Sequence, residues 1–150
     1  MSININLKSS LIASCGMNCG LCHGYQRDKN TCAGCNSDSL NKPNYCIGCH
    51  IKNCDMLTSS KSKYCFGCTK YPCIRLKKLD KRYKIKYGMS MIENLNKIKE
   101  IGIRKFTQLE KQKWTCPNCG SIICVHRENC LVCGTKRVYY YSLNDGIKIR

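Results

Sequence analysis

Carboxylates are scarce in this sequence: nine acidic residues stand against 26 lysines and arginines. They are thinly spread, and neither a Ser/His/Asp set nor a phosphate-binding loop is present. Histidine is limited to His23, His50 and His126, which leaves little for a catalytic zinc, a metal that keeps an open position and commonly uses imidazole ligands. An enzyme is therefore not the expectation. One three-sulfur site with exchangeable water, beside His23 or His50, is the catalytic arrangement left open. Long apolar runs are missing as well. No stretch approaches the ~18 residues of a membrane span, and the N-terminal Met1-Ser-Ile-Asn-Ile-Asn-Leu-Lys8 has no basic start followed by an apolar segment. A cytoplasmic protein with reduced thiols, and no membrane partner, is expected.

Ordinary core residues are scarcest where they are most needed. Of the 59 residues from Cys15 to Cys73, only Leu21, Leu40, Ile47, Ile51, Leu57 and Phe66 are Leu, Ile, Val or Phe. That is about a tenth, below the roughly 20% under which chains tend not to fold by apolar burial. Something else has to hold this half together.

Cysteine is what the sequence has instead, sixteen in 150 residues. Most sit in C-x-x-C pairs: Cys19/Cys22, Cys32/Cys35, Cys46/Cys49, Cys65/Cys68, Cys116/Cys119 and Cys130/Cys133. Such a pair aims two sulfurs at one point, as tetrahedral metal binding requires. Disulfide scaffolds belong to oxidising compartments, so metal is the expectation. A structural zinc contributes on the order of 10–16 kcal/mol to folding, enough for a few ions to replace the missing core. Seven of the eleven glycines adjoin a cysteine, and Gly34, Gly48 and Gly67 share the slot before the second cysteine of a pair. That placement suits knuckle turns, which often need positive φ. The formal charge of +17 falls to about +9 if all sixteen cysteines bind four divalent ions as thiolates.

The pattern predicts a small metal-stabilised α+β protein: an irregular cysteine-rich zinc-knuckle block, central helices and a C-terminal zinc ribbon. Residues 1–14 form a lead-in, either a short strand or disordered. Residues 15–75 are the first cysteine block, 76–113 the helical segment and 114–150 the zinc-ribbon-like segment. Ser90-Met-Ile-Glu93 reads as a capping box. Met91, Leu95, Ile98 and Ile101 follow at helical spacing, with Gly102 as C-cap. A second helix is expected near 104–113 with Phe106 and Leu109 on its apolar face, and an earlier one near 73–83.

Cys116-Pro-Asn-Cys119 and Cys130-Leu-Val-Cys133 are two knuckles ten residues apart, the spacing of a closed four-sulfur site. Cys124 and His126 lie between them and are read as a buried small residue and a satisfied polar one. The first block offers Cys15, Cys19, Cys22, Cys32, Cys35, Cys46, Cys49, Cys54, Cys65, Cys68 and Cys73, one short of three tetrahedral sites. Partition in chain order would give Cys32/Cys35/Cys46/Cys49, then Cys54/Cys65/Cys68/Cys73, then Cys15/Cys19/Cys22 with another donor. Interleaved groupings fit the spacing equally. The unit C-x2-C-x4-C occurs at Cys46, Cys65 and Cys116.

Three to four zinc ions are the expected cofactors, with [4Fe–4S] clusters as the alternative, since sixteen thiolates can hold either. The dense ferredoxin run of cysteines is absent, and ten-residue gaps suit mononuclear sites better. Cys15-x3-Cys19-x2-Cys22 has the cysteine spacing of radical S-adenosylmethionine enzymes, but no βα repeats for their barrel are visible. Cys19-Gly-Leu-Cys22-His23 and Cys46-Ile-Gly-Cys49-His50 fit the c-type haem motif; with no export signal, the histidines are read as spectators or substitute ligands.

The order Cys-Gly-x-x-Cys-x-x-Cys at 15–22, Cys-x-Gly-Cys at 32–35, a cysteine-rich middle at 46–54 and Cys-x-x-Cys-x-x-Tyr-Pro-Cys at 65–73 resembles the DUF3795 family of bacterial and archaeal proteins. The resemblance extends toward the Trp-Thr-Cys-Pro-x-Cys-Gly segment. It implies a small metal-binding cytosolic protein and carries over no catalytic residue.

The expected role is a metal-stabilised interaction scaffold with a protein partner. The alternatives are an iron–sulfur redox protein or an RNA-binding module acting through 75–87. That stretch holds seven basic residues in its first twelve, with Tyr83 and Tyr87 for stacking.

Overall fold

A computed structural model describes residues 5–37, 39–59, 62–137, 140–143 and 146–149. It is helix-rich, with few strands. Three short helices, α1 (His23–Gln26), α2 (Asn44–Ile47) and α3 (Asp55–Ser59), punctuate the first cysteine block. Three longer ones follow: α4 (Ile74–Tyr87), α5 (Met91–Ile101) and α6 (Ile103–Trp114). Near the C-terminus β1 (Tyr140–Leu143) pairs antiparallel with β2 (Gly146–Ile149), Tyr140 opposite Ile149.

The long helices stop and start where local chemistry requires. α4 runs four residues past the expected end and terminates at Gly88, whose φ of +68° suits only a residue without Cβ. Ser90 caps α5, its Oγ accepting from the Glu93 N–H at 3.0 Å, so half of the expected capping box forms. Asp80 completes the cap from α4: its Oδ1 accepts from Ser90 Oγ (2.6 Å) and from the Ile92 N–H (3.1 Å). A carboxylate at a helix N-terminus is favourable on dipole grounds too. Asp80→Ala is expected to leave buried donors unpaired and cost about 1–3 kcal/mol, read as a lower urea midpoint.

Two parts of the expected pattern need correction. On α6 the buried residues are Phe106, Thr107, Glu110 and Trp114, while Leu109 is 43% exposed. The inward line runs at spacing four from Phe106 through Glu110 to Trp114 and leaves Leu109 turned aside. The lead-in also forms no strand among its described residues. It makes a 3-10 turn at Ser9–Leu11, and Leu7 and Ile12 are essentially fully buried.

Leu7, Met17 and Leu21 join Leu76 of α4, Met91 and Leu95 of α5, and Trp114, Ile123 and Val125 in one core. The loop around Gly16 presses on α5: a Cβ there would meet Leu95 Cγ and the Met91 carbonyl at 3.0 Å, at a φ of +93°. Main-chain bonds from Val125 to Leu21 and from Cys65 to Ser14 lash the cysteine segments to this centre. Beyond it, burial stops. No described residue between Gly34 and Leu76 is buried, yet that stretch carries seven cysteines.

Candidate metal centre

Residues 115–122 and 129–136 are two copies of one turn. In each, the first cysteine's N–H bonds the carbonyl five residues on (Cys116 to Ser121, Cys130 to Thr135), and the glycine after the second cysteine donates back (Gly120 to Cys116, Gly134 to Cys130). Thr115 bridges Ile122 just as Asn129 bridges Lys136. Gly120 and Gly134 sit at φ of +78° and +77°, a conformation that costs a residue with a Cβ roughly 1–2 kcal/mol.

Each turn points two sulfurs at the other. Cys116 Sγ lies 3.7 Å from Cys133 Sγ, and Cys119 Sγ 3.6 Å from Cys130 Sγ. A tetrahedron with metal–sulfur bonds of about 2.3 Å has edges of about 3.8 Å. The four ligand atoms all lie within 4.8 Å of one another, the one such set of His, Cys, Asp or Glu among the described residues. This cluster of four could hold a metal ion. Cys116 and Cys130 are buried, Cys119 and Cys133 exposed.

Hydroxyl groups tune the outer pair. The Thr135 hydroxyl, 3.1 Å from Cys133 Sγ, together with the Asn118 amide, holds the Cys133 thiol down at about 5. The Ser121 hydroxyl and N–H likewise lower Cys119. Both effects favour the thiolate, the form that binds metal. Sequence reasoning missed Ser121 and Thr135, although the signal was there: Cys-Gly-Ser and Cys-Gly-Thr repeat after the two knuckles. Thr135→Val is expected to weaken metal binding roughly 10- to 100-fold and move the pH of metal loss upward, measured by competition with a chromophoric chelator.

Cys124 and His126 stand apart from the four sulfurs. Cys124 is completely buried. His126 accepts from the His23 N–H at Nδ1 (3.2 Å) and meets Tyr83 Oη at Nε2 (2.9 Å). Since Nδ1 accepts, the proton belongs on Nε2, and burial pushes the imidazole down to about 4. Tyr83 and Tyr87 pack edge-on against this ring, so the tyrosines expected to stack on bases are engaged inside the protein. His23 contributes its main-chain N–H here, and His50 is exposed.

In the first block, knuckles distant in sequence come near one another. The Cys35 N–H donates to Cys19 Sγ at 3.2 Å, and the two thiols share a hydrogen bond that lowers Cys35 to about 6 and raises Cys19. Cys22 and Cys32 instead flank Gly24, where a Cβ would meet Cys22 Sγ at 3.7 Å and Cys32 Cβ at 3.5 Å. Besides burial, Cys32 and Cys35 both lie close enough to Cys22 and Cys46 to raise their thiols. Burial and the charges of Cys35, Cys65 and Cys49 push Cys15 up to about 12, and burial with Cys35, Cys32, Cys22 and Cys49 pushes Cys46 up to about 11. These eight sulfurs thus share one region without any three drawing within 4.8 Å.

Cys54, Cys65, Cys68 and Cys73, by contrast, line a single pocket, the set anticipated from chain order. The glycine slot they share with other knuckles has a different cause here. Among Gly34, Gly48 and Gly67 only Gly34 has positive φ; a Cβ on Gly67 would lie 2.0 Å from Ser62 Cβ, so space is what excludes a side chain.

No family model, no curated protein and no solved structure matches the chain. No helix among the described residues is long and apolar enough to cross a membrane.

Proposed function

We propose that this protein is a metal-stabilised scaffold in which Cys116, Cys119, Cys130 and Cys133 close a zinc ribbon around one structural zinc. The sulfur–sulfur separations of 3.6 and 3.7 Å carry this reading, because they equal the tetrahedral edge before any ion is considered. Four thiolates leave no open position, and a closed site stabilises rather than catalyses. Bound there, the ion would supply folding free energy and fix the two turns against each other. The remaining cysteines from Cys15 to Cys73 would hold the other metal centres, in a cytoplasmic protein of the DUF3795 type; motif order supports that assignment.

A protein partner is supported by apolar side chains left in solvent. Leu40 and Tyr45 are 77% and 80% exposed, with Ile47 close by in sequence, and Ile74 and Ile85 of α4 are each 72% exposed. Elemental analysis of protein purified without metal supplements tests the metal reading. At least one zinc per chain is expected, and absence of every metal would overturn it.

One observation favours RNA as a second partner class. Arg75, Lys77, Lys78, Lys81, Arg82, Lys84 and Lys86 are all exposed, while Asp80, the sole acid of α4, is turned inward to cap α5. These seven basic side chains on the exposed surface of α4 suit phosphate contacts. Binding to bulk RNA should then weaken steeply with salt; a flat salt dependence would remove this reading.

A further inference from the structure

The pocket beneath α4 differs in kind from the C-terminal four-sulfur centre. Cys54, Cys65, Cys68 and Cys73 all face it. In sequence the two centres begin alike, Cys65-x2-Cys68-x4-Cys73 matching Cys116-x2-Cys119-x4-Cys124. Their third cysteines meet opposite fates. Cys124 is sealed in the core, whereas Cys73 lines the cavity from the N-cap of α4.

Separation of the sulfurs is the deciding difference. At the C-terminal centre they stand at tetrahedral-edge distance with no gap between them. Around the pocket no three of the four fall within 4.8 Å of one another. One ion with bonds of about 2.3 Å cannot reach four sulfurs so spread. A polynuclear core, with one thiolate on each of several irons, can.

The walls suit an anionic cluster. Ile51, Leu57, Tyr71 and Leu76 shield the cavity, and no carboxylate lines it. The Lys70 N–H donates to Cys68 Sγ at 3.4 Å, a bond of the type that tunes such clusters. Arg75 also lines the pocket, its guanidinium 3.5 Å from the His50 carbonyl, placing positive charge beside the thiolates. Cys73 additionally sits at the positive end of a 14-residue helix.

We propose that Cys54, Cys65, Cys68 and Cys73 bind an iron–sulfur cluster, while the C-terminal centre takes the single zinc. The inference rests on reading the chain as a metal protein, and the test separates the two. Full-length protein is purified without air and, where needed, reconstituted with ferrous iron and sulfide. Its iron, acid-labile sulfide, zinc and visible absorbance are then measured. Iron and sulfide should appear in equal amounts, about four of each for a cubane, with broad visible absorbance and at least one zinc. Cys65→Ala/Cys68→Ala should lose the iron and colour but keep the zinc. Cys119→Ala/Cys133→Ala should lose that zinc and keep the colour. Zinc without iron or sulfide in the wild-type protein would overturn the cluster and leave the metal reading intact; absence of every metal would overturn both. Full colour in Cys65→Ala/Cys68→Ala would place the cluster elsewhere and so refute the assignment, and wild-type stoichiometry decides if that variant does not fold.

Discussion

Cys130→Ala is expected to empty the C-terminal centre and unfold the turns at 115–122 and 129–136 locally. The lost sulfur is buried and lies 3.6 Å from Cys119 Sγ, and a structural zinc contributes on the order of 10 kcal/mol to the segment that binds it. The two turns have little else to hold them together. Their exposed faces include Leu131 and Val132, and only a few main-chain bonds close each loop. Trp114, the one tryptophan, reports the event directly. It is 6% exposed, with the Arg137 guanidinium 5.3 Å from its ring centre. Its emission should shift to the red as zinc falls by one per chain. Unchanged emission and unchanged zinc would contradict the assignment.

The second large effect concerns Glu110. This carboxyl is buried on α6, where Oε1 accepts from Asn18 Nδ2 at 3.2 Å and Oε2 has no hydrogen-bond partner among the described residues. Burial pushes it up to about 7, against the opposing help of Asn18 and Lys113. The folded state therefore holds this proton more tightly than the unfolded chain does. Below the ordinary carboxyl range both states are protonated and nothing is lost. As pH rises toward 7 the unfolded chain ionises first, so folding stability falls, and above 7 the full loss remains. A shift of this size corresponds to about 3 kcal/mol. Glu110→Gln should match the wild type near pH 4 and exceed it by up to about that amount at pH 8, read from urea unfolding of both proteins. Comparing the pair at each pH separates Glu110 from the thiolates, whose protonation works in the opposite direction. A difference that does not grow with pH would show that Glu110 is ionised without penalty.

Local signals in the sequence carried far. Ser90 and Gly102 mark the ends of α5, and the C-terminal knuckles, ten residues apart, meet as four sulfurs. Both features are set by neighbours within a turn or two. Tertiary choices were hidden. Leu109 looks like a core residue by type, yet the buried line of α6 includes polar Thr107 and Glu110 because Ser9 and Asn18 come from far along the chain to meet them. Leu7 and Ile12 were read as part of a polar lead-in, since their partners on α5, α6 and beyond are remote in sequence. Asp80 stands alone among the basic residues of α4, and its role as cap of the next helix depends on a partner ten residues on.

Amide hydrogen exchange on full-length protein, before and after removal of metal under reducing conditions, tests the central claim most directly. Residues 35–75 and the two turns at 115–122 and 129–136 should lose their protection when the ions leave, because the first stretch has no buried described side chain and the turns close on four sulfurs. Protection that survives metal removal in both stretches would mean that packing alone holds them, and the account would be wrong.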